Sequence, residues 1–299
     1  MAGRPKRFWI SFSFVRSSLI PGKSHSSEAL AAYASDGIQT VTGYLQSGAL
    51  SLFLSAFELQ DAFAVTGDVA EIGVFQGKTL ILMAHALNEG ERVIAIDTFG
   101  RPPGRDVQMR VALEANLVRF GYMDLCDIIA GDSLSFTPES LRVRLGGARV
   151  RLFSVDGDHT KAAVLHDLAL ADSVLAPGGI VAADDLFNPW YPGVTEALYE
   201  FCRLGRECRQ HGLEPIAFIS ANGPVETGCG KLFFARSEFA PRYKAGLKLL
   251  NQPDLKHCDP FGGFPDVPHF WFAGQPRRHA LDPALRPLLD EIVSRLIVV

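Results

Sequence analysis

The sequence predicts an α/β fold: a mostly parallel sheet, doubly wound, with helices on both faces. Three observations carry the prediction. Short apolar runs, "DVAEIGVF", "RVIAID", "CDIIAG", "VRLFSVD" and "GIVAAD", recur between residues 68 and 184. Segments with helical spacing separate them, at 77–88, 107–120 and 160–174. The runs are apolar on both faces, so each needs cover on both sides, as parallel strands joined by right-handed crossovers have.

The elements follow in chain order. Arg4, Lys6 and Arg7 precede "FWISFSFV", an imitation of a leader's charged and apolar regions; Arg16 interrupts it and no small-residue cleavage signal follows. The stretch reads as a flexible or surface-packing arm. Helical periodicity occupies 27–46 and 50–64, and the five strands come next. After Asp185 the pattern predicts a helix at 193–205 and strands at 214–220 and 230–235, which bring the sheet to seven. "HCDPFGGFPDVPHFWFAGQP" mixes proline and glycine with four phenylalanines and Trp271. That composition suits a loop folded over a pocket or against another subunit, and equally simple packing on the sheet edge. Residues 281–296 read as a terminal helix. The chain thus divides into an N-terminal arm with helices (1–64), a central domain (65–238) and a C-terminal lid and helix extension (239–299).

Composition sets bounds on function. With 299 residues, 47% hydrophobic and 21% charged, the chain can bury a large core. A formal net charge of −4 gives no global reason to bind nucleic acid. No segment approaches the roughly 20 apolar residues that a membrane-spanning helix needs. Five scattered cysteines without a CxxC pair fit reduced thiols in a cytoplasm better than disulfides or a zinc site.

In an open parallel sheet, ligands bind beyond the carboxyl ends of the strands. The first strand is followed by "EIGVFQG", with Glu71, Gly73 and Gly77; the second by Asp97; the third by Asp132 and Ser133. The fourth ends in Asp156 and Asp158, the fifth in Asp184 and Asp185. The glycine loop is ExGxxxG rather than the GxGxxG of a dinucleotide site. Glu71 at its entry disfavours a pyrophosphate and suits an ammonium group, and Asp97 suits a ribose diol. An adenosine with a small cationic or zwitterionic tail fits: S-adenosylmethionine rather than NAD.

From Glu71 to about Phe234 the chain resembles a class I S-adenosylmethionine-dependent methyltransferase. Its "IDTFGRP", "VDGDH", "LAPGGIVAADD", "YPGVTEAL" and "GKLFF" resemble the macrocin and novobiocin-sugar O-methyltransferase group. The resemblance implies a Rossmann-like sheet with an antiparallel last strand and transfer of a methyl group to a small-molecule hydroxyl, on a sugar or polyol-like natural product. It implies a divalent metal, magnesium, on Asp156, Asp184 and Asp185, with Asp158 as general base; His159 and Thr160 depart from the group's pattern. Acids on neighbouring strand tips about 4.8 Å apart can converge on one ion. Magnesium prefers oxygen ligands and keeps waters that a diol can displace. Within these turns no lysine or arginine neutralises the acids, although Lys161 lies one step away. For His159 two readings stay open, catalysis or a structural hydrogen bond. His166 reads as structural, and His257, His269 and His279 lack a ligand spacing. A catalytically idle binding module of the same fold is the competing expectation.

Overall fold

The computed structural model describes residues 24–100, 106–220, 230–272 and 286–295. Each apolar run is a strand: β1 Asp68–Ile72, β2 Val93–Asp97, β3 Cys126–Ala130, β4 Val150–Val155 and β5 Leu175–Leu186. The later pair is β6 Leu213–Ile219 and β7 Gly230–Arg236. These seven run in the order β3-β2-β1-β4-β5-β7-β6, all parallel except β7, which is antiparallel to both neighbours. A hairpin absent from the sequence reading, β8 Leu255–Phe261 and β9 Phe264–Phe270, extends the sheet to nine by pairing β9 with the outer edge of β6.

Alternate residues on each strand face opposite layers. Val69, Leu152 and Ile180 pack toward α1 (Ser24–Ser35), α2 (Ser47–Ala62), α3 (Lys78–Ala84), α4 (Asp106–Phe120) and α8 (Ala240–Leu250), with α9 (Arg286–Arg295) beside them. Ala70, Phe153 and Val181 pack toward α5 (Pro138–Arg144), α6 (Lys161–Val174) and α7 (Pro192–Arg206). This strict alternation inside runs that carry no polar face is what two covered faces require. Helix α2 lies wholly within its layer: Leu52, Phe53 and Leu59 are buried, and Ser51 and Ser55 turn their hydroxyls back to the carbonyls of Ser47 and Ser51. Local chemistry sets the helix starts. Thr137 and Ser140 form a reciprocal capping box before Pro138, and Thr160 caps α6 by accepting from the Ala163 N–H.

Residues 258–270, thirteen of the twenty in the quoted aromatic stretch (257–276), belong to this hairpin on the sheet edge. Gly262 and Gly263, both at positive φ, make a two-residue turn between the paired Phe261 and Phe264. Phe270 enters the core, and Phe261 stacks on Tyr199 of α7 at 4.6 Å. Residues 273–276 of that stretch lie outside the described residues. Among the described residues no helix is long and apolar enough to cross a membrane.

At the amino ends of the strands, a buried ion pair ties the sheet to the helices of one face. Arg151 of β4 bonds Glu91 (Nε to Oε2, 3.0 Å), Gln60 of α2 (2.6 Å) and the carbonyl of Ala86 after α3 (2.5 Å). Burial opposes ionisation of Glu91, but Arg151 and the N–H groups of Asn88 and Gly67 hold its carboxyl below the usual glutamate range. A depressed folded value adds stability above the unfolded value of about 4.3, and that stability is lost as pH falls through the folded value. Arg151→Met, which strands the Glu91 charge, is expected to cost about 3–5 kcal/mol at neutral pH. The loss is expected to shrink below about pH 4, as denaturant titrations at both pH values will show.

Candidate active site

The carboxyl ends of β1 to β4 open into a cleft of about 640 Å³. Gly73, Asp97, Asp132, Ser133, Asp156, Asp158 and His159 line it together, with Phe75, Phe99, Met109 and Tyr191, which the sequence did not single out.

Its floor is backbone. Gly73, at φ +84, follows β1 so closely that a Cβ there would lie 1.7 Å from the carbonyl oxygen of Asp156. Its own N–H bonds the carbonyl of Ile96, which locks the end of β1 between β2 and β4. Asp97 accepts from the N–H of Phe75 (Oδ2, 2.8 Å) and of Phe99 (Oδ1, 2.7 Å). Both phenylalanines sit at positive φ, as do Asp185 and Phe187 after β5. Strained backbone of this kind gathers at ligand sites, held there by surrounding bonds such as those to Asp97. One lone pair on each Asp97 oxygen remains for a ligand. Asp132 accepts from the Leu134 N–H, and His166, as read, serves structure by bonding the Ser133 carbonyl at 3.1 Å.

Two expected cofactor residues stand outside the cleft. Gly77 caps α3 and packs on Leu113. Glu71 is 2% exposed, in β1 beneath the floor, where burial pushes its carboxyl up to about 8. It is therefore protonated at neutral pH and offers no charge to an ammonium group.

The two acidic turns meet at His159. Its Nε2 hydrogen-bonds Asp185 Oδ2 and lies 3.8 Å from Asp156 Oδ1, and its ring packs on Tyr191 at 4.3 Å. The bond to Asp185, then the nearby acids, raise the imidazole above its ordinary value against the opposing effect of burial. Asp158, expected as the base, accepts from the Thr160 N–H at 2.9 Å and so shapes the turn into α6. Asp185 also accepts from Asn188 Nδ2 at 2.9 Å.

Asp184 points to a different partner. Its Oδ2 bonds Nζ of Lys231 at 2.8 Å and its Oδ1 accepts from the Asp185 N–H at 2.9 Å. Lys231 is 2% exposed, in β7. The repulsion expected among the strand-tip acids is therefore answered by a lysine 46 to 47 residues further along the chain, not by Lys161, which pairs with Glu196. A buried lysine inside "GKLFF" was the available signal, since lysine is almost never buried without a partner.

These residues do not fit the magnesium ion expected on Asp156, Asp184 and Asp185. Both Asp184 oxygens are engaged, one of them by a cation. The ligand atoms that do converge, from Asp156, His159 and Asp185 within 4.8 Å, include an imidazole nitrogen already bonded to Asp185. Magnesium takes oxygen in near-octahedral array.

Residues 70–186 match the methyltransferase-domain family. No curated protein matches the chain. Among solved structures, the chain is similar to the O-methyltransferase TomG from Streptomyces achromogenes, involved in tomaymycin synthesis and solved with SAM: 18% identity, TM-score 0.50, over 73% of this chain and 92% of that one. It is also similar to the O-methyltransferase from Bacillus cereus in complex with SAH: 17% identity, TM-score 0.48, over 73% and 93%. The family match makes residues 70–186 a methyltransferase domain, and the sheet order β3-β2-β1-β4-β5-β7-β6 carries it.

Proposed function

We propose that this methyltransferase domain methylates a hydroxyl of a small molecule, a sugar or polyol-like compound, with His159 as the base. The observation that carries the reading is His159 on the wall of the cleft, hydrogen-bonded to Asp185 beside it. The cleft volume lies within the range of small-molecule sites, and the O-methyltransferase of tomaymycin synthesis shares the fold. The described cysteines, Cys126, Cys202, Cys208 and Cys258, are free thiols, which supports a cytoplasmic setting.

The roles follow from the geometry. The bare backbone at Gly73 admits the amino-acid end of S-adenosylmethionine, and Asp97 takes its ribose hydroxyls on the remaining lone pairs. Asp132 and Ser133 border the adenine. When bound, the cofactor supplies a methyl group already activated by its sulfonium. His159 then has one task. Its Nε2–H donates to Asp185, which leaves Nδ1 as the basic nitrogen. Nδ1 would take the acceptor's hydroxyl proton as the methyl passed from sulfur to oxygen and S-adenosylhomocysteine left, and Asp185 would stabilise the imidazolium.

The test is a pH profile. The base must be neutral, and Asp185 holds its pKa above the ordinary histidine value of about 6.5. We expect kcat/KM to fall on the acid side through a value above about 6.5, and that limb to move to lower pH in Asp185→Asn. A limb in the range of a free carboxylate, unmoved in Asp185→Asn, contradicts the assignment.

A further inference from the structure

We infer that Lys231 is the resident cation of the strand-tip acids and stands where a divalent ion was expected, so that this domain needs none. The inference rests on the methyltransferase reading only for the cleft's identity; the charge balance stands on its own geometry.

Lys231 reaches the site through register. Strand β7 runs antiparallel beside β5, with Leu232 opposite Ala183 and Gly230 opposite Leu186. The residue between them in β7 therefore comes level with Asp184, and its ammonium meets Asp184 Oδ2 at 2.8 Å. The Phe53 ring of α2 backs the ammonium at 5.6 Å. At 2% exposure Lys231 has exchanged its water for this bond to Asp184. The ion pair with Asp184 is what compensates the burial of this ammonium. Lys231 answers Asp184, and His159 answers Asp185. Asp156 Oδ1 lies 3.8 Å from the same imidazole. A buried fixed charge of +1 beside Asp184 also repels any divalent ion that approaches the same oxygens.

Lys231 is thereby a positioning residue. It holds Asp184, whose Oδ1 accepts from the next N–H, and so helps keep Asp185 at φ +62, where its carboxylate meets His159.

The experiment is a manganese titration followed by electron paramagnetic resonance, with the ion alone as probe, on the full chain. We expect the wild type to leave manganese free at concentrations where Lys231→Gln, its acids released, binds one ion at least tenfold more tightly. Lys231→Gln/Asp184→Asn should lose that gain. One manganese bound stoichiometrically by the wild type and lost in Asp184→Asn overturns the inference, as does a folded Lys231→Gln with no gain. The wild-type titration needs no variant, so the inference stays testable if Lys231→Gln fails to fold. Failure of the methyltransferase reading shows separately, as absence of binding by S-adenosylhomocysteine, which the manganese signal does not report.

Discussion

Replacing His159 by glutamine is expected to lower kcat for methyl transfer by roughly 10²–10⁴-fold, the usual contribution of a positioned base. Affinity for S-adenosylhomocysteine is expected to stay near the wild-type value. Glutamine keeps the donor that reaches Asp185 but has no basic nitrogen. His159 is partly exposed, at 31%, on the cleft wall. Asp185→Asn should fall less far, because the neutral amide still orients the ring and only its charge is missing. Transfer of radiolabelled methyl to a screened hydroxyl acceptor, with cofactor binding measured in parallel, checks the pair of values. Equal loss of binding and turnover in His159→Gln would make the residue structural.

Gly73→Ala is expected to abolish the folded cofactor cleft. A left-handed conformation alone costs an ordinary residue about 1–2 kcal/mol. Gly90 supplies the comparison, because it shares that conformation at φ +82 and nothing lies within 4 Å of the Cβ position. Gly90→Ala should therefore lose only the conformational part. At Gly73 the added carbon would meet the Asp156 carbonyl oxygen at 1.7 Å, so β1 and β4 must part at their tips. Those tips carry the Gly73 and Asp156 N–H bonds to Ile96 and Ile72. Thermal unfolding of the two variants separates the effects: a small drop in Tm for Gly90→Ala, and for Gly73→Ala a protein that is unfolded or folded without a competent cleft. Equal, small drops would mean that the approach of β1 to β4 is not tight.

The strand ends were legible because two local signals coincide there: an apolar run that must be covered on both faces, and the polar residue that follows it. Asp97, Asp132 and Asp156 were found in that way, and they share one cleft. Lys231 was not, because its partner Asp184 lies across a strand pairing, and pairing between distant segments leaves no periodic trace in either. The hairpin β8–β9 was hidden by composition. Edge strand β8 is mostly exposed and carries Pro260, and β9 carries Pro265 and Pro268 outside its short pairing with β6. Yet "FGGF" held the turn signal, two glycines between like residues. Helices α5 and α8 were passed over as well, and α5, at seven residues, is too short to show a period. Glu71 was read as a charge at the loop's entry, whereas burial in β1 pushes its carboxyl up to about 8. Its position inside a covered strand already implied a buried carboxyl.

The central claim is that the cleft at the ends of β1 to β4 binds an adenosyl sulfonium cofactor, and calorimetric titration with S-adenosylhomocysteine tests it most directly. The account predicts one site per chain with at least micromolar affinity. It predicts binding weakened in Asp97→Ala by about 1–3 kcal/mol, from the lost ribose bonds and the two N–H groups left behind, and no heat with NAD. A folded wild-type protein that releases no heat with S-adenosylhomocysteine contradicts it.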